Sequence, residues 1–415
     1  MNWETLNQET MKLFQEGNYP KAAIVAKQAI KVAQKTMGPD HSNVAESLYY
    51  LAGSYTAQGK TSDAEPLYKQ SLAIWEKALG RNHSNVANCL TSLANIYAYQ
   101  GNNSKAESLY KQSMEIYDEM FGPDNLYTVT SLNSIANLYF SQRDYAKAES
   151  LYRHVLTIRK NKLGAKHPLV ATSLNDLATL YACQGYLIEA EPIFRQAIAT
   201  FEKTLSTEHP HFIRSLNTLA KLYIAKDDYD KAEPLYKRAL ATLEQLLGPE
   251  HAEVAQSLNT LAGFYKLQEN YTEAESYYKR VLAISEKNLD PNHSYIAQNL
   301  NDLAIIYKIQ GRYAEAEPLY KRSLKIWKRA FGSNHPDVAI SLENFAEFYS
   351  VQGKYTEAEP YYKRALKVRV NIFGSDSLYV AATLEKLANL YRTTKKIKKA
   401  EKLEKRIKQI KQSYS

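Results

Sequence analysis

Cysteine is nearly absent from this sequence of 415 residues, which holds only Cys89 and Cys183. Two thiols are too few for a disulfide framework, so a reducing compartment is expected. The opening stretch MNWETLNQET has neither a basic region nor an apolar run and does not read as a signal peptide. No apolar run is long enough to span a bilayer. These absences together predict a soluble, cytoplasmic protein. There is no glycine-rich phosphate loop and no Gly-x-Ser-x-Gly, and no cysteine, histidine or carboxylate cluster at metal-ligand spacing. No enzyme activity, cofactor or metal is therefore expected.

One sign of charge is concentrated. The formal net charge is +9. The segment 391–415, YRTTKKIKKAEKLEKRIKQIKQSYS, carries +8 of it, from eight lysines and two arginines against two glutamates. The rest of the chain is about neutral, so nucleic acid is not expected along its length.

What the sequence has in abundance is self-similarity. AEPLYK stands at 64–69, 232–237 and 316–321, offsets that are multiples of 42. A fixed period of this size marks a stacked repeat array. Stepping by 42 from Leu48 gives Leu90, Leu132, Leu174, Leu216, Leu258, Leu300, Leu342 and Leu384 without a gap. Tyr55 starts a second unbroken column that ends at Tyr391, and Ala64 a third that ends at Ala400. Leu6, Gly17 and Ala22 keep the same phase, which adds a worn first repeat.

Within a repeat, Leu258, Leu261, Ala262 and Tyr265 follow helical spacing, and so do Tyr236, Ala239, Leu240, Leu243 and Leu247. Each repeat therefore predicts a helix A and a helix B of roughly 14–18 residues, joined by short loops. Glycine in QGK, QGN or QGR ends helix A in a left-handed conformation. Ser62, Thr272 and Thr356, each followed three residues later by Glu, read as capping boxes that open helix B. The prolines at 66, 192, 234, 318 and 360 then fall in or just past its first turn.

The Leu, Leu-Ala and Tyr columns, the glycine, the helix-B alanine and Tyr68, Tyr236 and Tyr320 resemble tetratricopeptide repeats. The 42-residue period, with EAEPLYKRAL and LGPEHAEVAQSLNTLA, is similar to the kinesin light chain type. The sequence opens almost directly on a repeat, without the heptad-rich segment by which kinesin light chains join the motor, which predicts a repeat protein other than a motor subunit. The resemblance implies an all-α, right-handed α-solenoid superhelix of about ten helix pairs. Residues 1–45 form a degenerate N-terminal repeat, 46–390 eight regular repeats plus helix A of the ninth, and 391–415 a basic capping helix.

Seven histidines keep register: His41, His83, His167, His209, His251, His293 and His335, with Asn125 and Ser377 in the same column. Successive repeats lie roughly 10 Å apart, too far for one metal whose bonds are about 2 Å. The column reads instead as a loop residue that hydrogen-bonds a helix end.

The resemblance places helix A on the concave face, where a non-catalytic scaffold would hold a peptide or partner segment. Asn133, Asn175, Asn217, Asn259 and Asn301 occupy one helix-A column in five consecutive repeats. An amide both donates and accepts, so an exposed ladder of them could grip an extended backbone. Neighbouring columns hold Asn88, Asn95, Asn137, Phe140, Arg214, Lys221, Ile224, Lys266 and Lys308. The four cations predict a bias toward acidic peptides. A different reading is an adaptor that meets an acidic surface, nucleic acid or membrane, through the basic helix at 391–415.

Overall fold

The computed structural model describes residues 2–204 and 210–413. Among them the chain forms helices and no strand. The helices are α1 (Trp3–Gln15), α2 (Tyr19–Met37), α3 (Ser42–Ala57), α4 (Thr61–Leu79), α5 (Ser84–Tyr99), α6 (Asn103–Phe121) and α7 (Leu126–Ser141). Then come α8 (Tyr145–Leu163), α9 (Pro168–Cys183), α10 (Leu187–Lys203), α11 (Pro210–Ala225), α12 (Tyr229–Leu247), α13 (Ala252–Leu267) and α14 (Tyr271–Asn288). The series ends with α15 (Ser294–Ile309), α16 (Tyr313–Phe331), α17 (Pro336–Val351), α18 (Tyr355–Phe373), α19 (Leu378–Thr393) and α20 (Ile397–Gln412). Odd helices are helix A and even ones helix B, so the fold is an all-α helix-pair solenoid of ten pairs.

Two compact units divide the chain, Met1–Leu222 and Tyr223–Ser415. The division falls inside α11. Within each unit the helices pack on their neighbours in sequence, as expected for an array stabilised by nearest-neighbour interfaces.

The period is visible in the core. Every residue of the helix-B alanine column, from Ala22 to Ala400, is completely buried. Only a methyl fits where helix B crosses its own helix A. The leucine column is buried from Leu48 to Leu384 except at the half-buried Leu132.

Two local expectations need correction. Most B helices run 19 residues, longer than anticipated, as in α4 and α12. Most A helices run 16, which leaves only short loops such as 58–60 and 80–83. Helix B also starts earlier than the supposed capping boxes. α4 begins at Thr61 on Lys60, and α14 at Tyr271 on Asn270. The cap is Asn102, Asp144, Asp228 or Asn270, each accepting from the backbone N–H three residues on. Ser62, Thr272 and Thr356 lie inside the first turn. Consequently Pro66 is the sixth helical residue, and its missing N–H frees the carbonyl of Ser62, which is on an exposed face where water can satisfy it.

The glycine reading holds at the end of helix A, where Gly59 and Gly101 have φ of 75° and 77°. Where the sequence lacks glycine, Arg143, Asp227, Glu269 and Lys395 adopt the same conformation, with φ between 57° and 62°. A second glycine column ends helix B, as at Gly80, with φ 84° and ψ 163°. Asp290 replaces that glycine in one repeat. There α14 stops a residue early, and Leu289 takes an extended φ of −118° that any residue can adopt.

Candidate functional site

The histidine column caps helix A. His41, His83, His167, His251, His293 and His335 each accept through Nδ1 from the backbone N–H two residues on, at 3.1–3.3 Å. Asn125 and Ser377 cap their helices through a side-chain oxygen, Asn125 accepting from the N–H two residues on and Ser377 from the N–H three residues on. His209 lies outside the described residues. No group of three histidines, cysteines or carboxylates among the described residues could hold a metal ion.

The glutamate column, read as capping, does something else. Its carboxylates accept from the tyrosine hydroxyl of the next repeat's helix A. The pairs are Tyr97–Glu65 at 2.9 Å, Tyr139–Glu107 and Tyr181–Glu149 at 2.8 Å and Tyr265–Glu233 at 2.7 Å. Tyr349–Glu317 at 3.1 Å and Tyr391–Glu359 at 3.0 Å repeat the contact, whereas Glu275 is held by Lys279 and Arg312. A lysine or arginine four residues on binds the same carboxylate, as Lys69 does Glu65. Lys69, with Gln100 and Tyr97, holds the Glu65 carboxyl down at about 2. The constant 32-residue spacing was the signal for this latch, and it matches no local motif.

Asn175 and Asn301 lie in the seams between α9 and α11 and between α15 and α17. Asn175 and Asn301 are buried, contrary to the expected exposure. Asn175 Oδ1 accepts from Ser215 Oγ at 2.9 Å, and Asn301 Oδ1 from Asn344 Nδ2 at 3.1 Å. Asn133, Asn217 and Asn259 are half-buried, with Oδ1 atoms shielded from solvent and without a partner among the described residues. The physical reason is the close approach of the next helix A. It covers a position that looks open when one helix is considered alone. Glu343 continues the column and is buried between Arg369 and Lys386, each at 2.9 Å.

The flanking columns are more open. Asn95, Asn137, Arg214 and Lys221 are exposed and belong to the first unit. Tyr110 donates to Asn95 Oδ1 at 2.5 Å, and Tyr152 to Asn137 Oδ1 at 2.6 Å. Each asparagine is thereby held by its oxygen, and each Nδ2 has no partner among the described residues. Arg214 lies near Asp176, whose carboxyl burial pushes up and Arg214 partly restores. Lys266 and Lys308 belong to the second unit and are half-buried. Lys308 binds Glu347 at 2.5 Å, and Lys266 offsets part of the burial that raises Asp302.

The profile of the tetratricopeptide repeat matches residues 13–77, 47–119, 121–203, 211–287, 253–329, 295–350 and 337–413. No curated protein matches. Among solved structures, one relative is BtubC (BKLC) from P. vanneervenii, 26% identical, with a TM-score of 0.50 over 55% of this chain and 92% of that one. A putative kinesin light chain from Podosopora anserina, with nearly identical TPR-like repeats, is 25% identical, with a TM-score of 0.42 over 48% of this chain and 95% of that one. The apo form of RapI is 18% identical, with a TM-score of 0.49 over 69% of this chain and 98% of that one. With matches that run from the first repeat to the last, the chain belongs to the tetratricopeptide repeat family.

Proposed function

We propose that this chain is a non-catalytic, cytoplasmic scaffold for protein–protein interaction, holding an extended peptide or partner segment along its helix-A face. The observation that carries the reading is the pair Asn95 and Asn137. Their oxygens are engaged by Tyr110 and Tyr152, so two exposed amide donors stand ready in consecutive repeats. At roughly 10 Å per repeat, an extended segment rising about 3.3 Å per residue would offer a carbonyl to each amide every third residue. Backbone recognition of this kind tolerates many sequences, so the charged neighbours set preference. Of the four groove cations Lys221 is the freest and favours an acidic segment, whereas Arg214 is partly offset by Asp176. Lys266 and Lys308 contribute less, because Asp302 and Glu347 already offset them.

A peptide array probed with the full chain tests this reading. Asn95→Ala with Asn137→Ala should weaken binding to all positive peptides. Changing Arg214, Lys221, Lys266 and Lys308 to Ala should remove only the acidic bias and the salt response. Unchanged spots with both variants would move the binding face elsewhere.

A further inference from the structure

The last helix, α20, is strongly basic, with six lysines and one arginine against two glutamates. α20 packs Ala400, Leu403, Ile407 and Ile410 against α19. At 100° per residue, Lys398, Lys402, Lys405 and Lys408 fall within about 120° on the opposite side, over about 15 Å. All four are exposed and have no carboxylate partner among the described residues. One carboxylate, Glu401, lies in the same arc.

α2 likewise leaves Lys27, Lys31 and Lys35 exposed and without a carboxylate partner among the described residues, but α20 is unlike the B helices that lie between α2 and itself. There the glutamate column neutralises the outer lysine or arginine four residues on, as in Glu107–Lys111, Glu233–Lys237 and Glu317–Lys321. On α20 the cations that do pair lie beside the arc. Arg406 binds Asp376 and Lys411 binds Glu385, while Glu404 is taken by Arg392 of α19.

A cap needs only polarity, and α20 is charged against its own stability. Lys398, Lys402, Lys405 and Lys408 are three or four residues apart and repel. The helix begins on Lys396 without a side-chain cap and has no acid in its first turn. Lys398 and Lys399 therefore sit at the positive end of the helix dipole. A planar field of negative charge would relieve all of these repulsions at once.

We propose that the outer face of α20 docks the protein on a bilayer surface carrying anionic lipid. The arc holds point-charge ammonium groups and no aromatic or arginine plane on which bases could stack. The line of lysines is straight, so a plane engages all four, whereas a duplex backbone winds away from it. The apolar side of the helix is already covered by α19, so contact is electrostatic and without insertion.

The test is co-sedimentation of the full chain with vesicles of neutral phosphatidylcholine, alone or with about 30 mol% phosphatidylserine. Binding should need the anionic lipid and be released by salt. Lys398→Gln, Lys402→Gln, Lys405→Gln and Lys408→Gln together should lower the partition coefficient at least about 100-fold, on a scale of roughly fivefold per lysine. The corresponding four Lys→Arg changes should retain binding and guard against loss through misfolding. Equal binding to neutral vesicles, or a Gln variant that partitions like the parent, would overturn the proposal. So would tighter binding to a duplex of about 20 base pairs than to the anionic vesicles.

Discussion

Glu359 offers the sharpest test of how the repeats are joined. Its carboxylate is mostly buried and receives Lys363 Nζ and Lys396 Nζ at 2.7 Å and the Tyr391 hydroxyl at 3.0 Å. Lys363, then Lys396, then Tyr391 pull its carboxyl down from 4.5 to about 2, against the effect of burial. Each tenfold change in an acid's ionisation constant corresponds to about 1.4 kcal/mol, but both lysines are half exposed and solvent screens them. Glu359→Gln should therefore cost about 1–2 kcal/mol near neutral pH. Tyr391→Phe leaves the ring packed and removes one hydrogen bond, for about 0.5–1.5 kcal/mol. The folded carboxyl titrates below the unfolded one, so its contribution is full above about 4.5 and is lost as pH falls toward about 2. Urea denaturation of parent, single and double variants, followed by circular dichroism, measures both the coupling and its pH dependence. A Glu359→Gln variant as stable as the parent near neutral pH, or a cost that does not shrink on acidification, would refute the latch.

Other perturbations probe single features. Gly80→Ala should cost about 1–3 kcal/mol, because φ 84° with ψ 163° is a glycine conformation; the added methyl itself meets open space. Conversely, Glu269→Gly should stabilise by up to about 1 kcal/mol by relieving its φ of 57°, read as a raised urea midpoint. His251→Ala should lose the helix-A cap, about 1 kcal/mol, while His251→Asn should keep it as Asn125 does. Ala232→Leu should overpack a fully buried site by roughly 1–3 kcal/mol, which thermal denaturation would show.

The repeat architecture could be read directly, because the leucine and alanine columns specify one helix pair every 42 residues. The histidine caps were also legible, since a polar residue just before each helix A has one obvious employment. The glutamate column was misassigned for a physical reason. A Ser or Thr three residues before a Glu looks the same whether the carboxylate turns back to its own helix or forward to the next repeat. Only the partner tyrosine, 32 residues away, distinguishes them. The seam position of Asn175 and Asn301 was illegible because helical phase reports which side of a helix a residue is on, not what the next helix covers. The division inside α11 has no counterpart in the period, which runs through it unbroken.

The claim that the helix-A face receives a peptide is tested most directly by locating a bound one. A photo-crosslinking residue at position 137 on α7, or at position 112 on the exposed side of α6, can be challenged with a peptide selected on the array. The account predicts crosslinking from position 137, competed by unlabelled peptide, and none from position 112. Crosslinking from position 112 with none from 137 would contradict it.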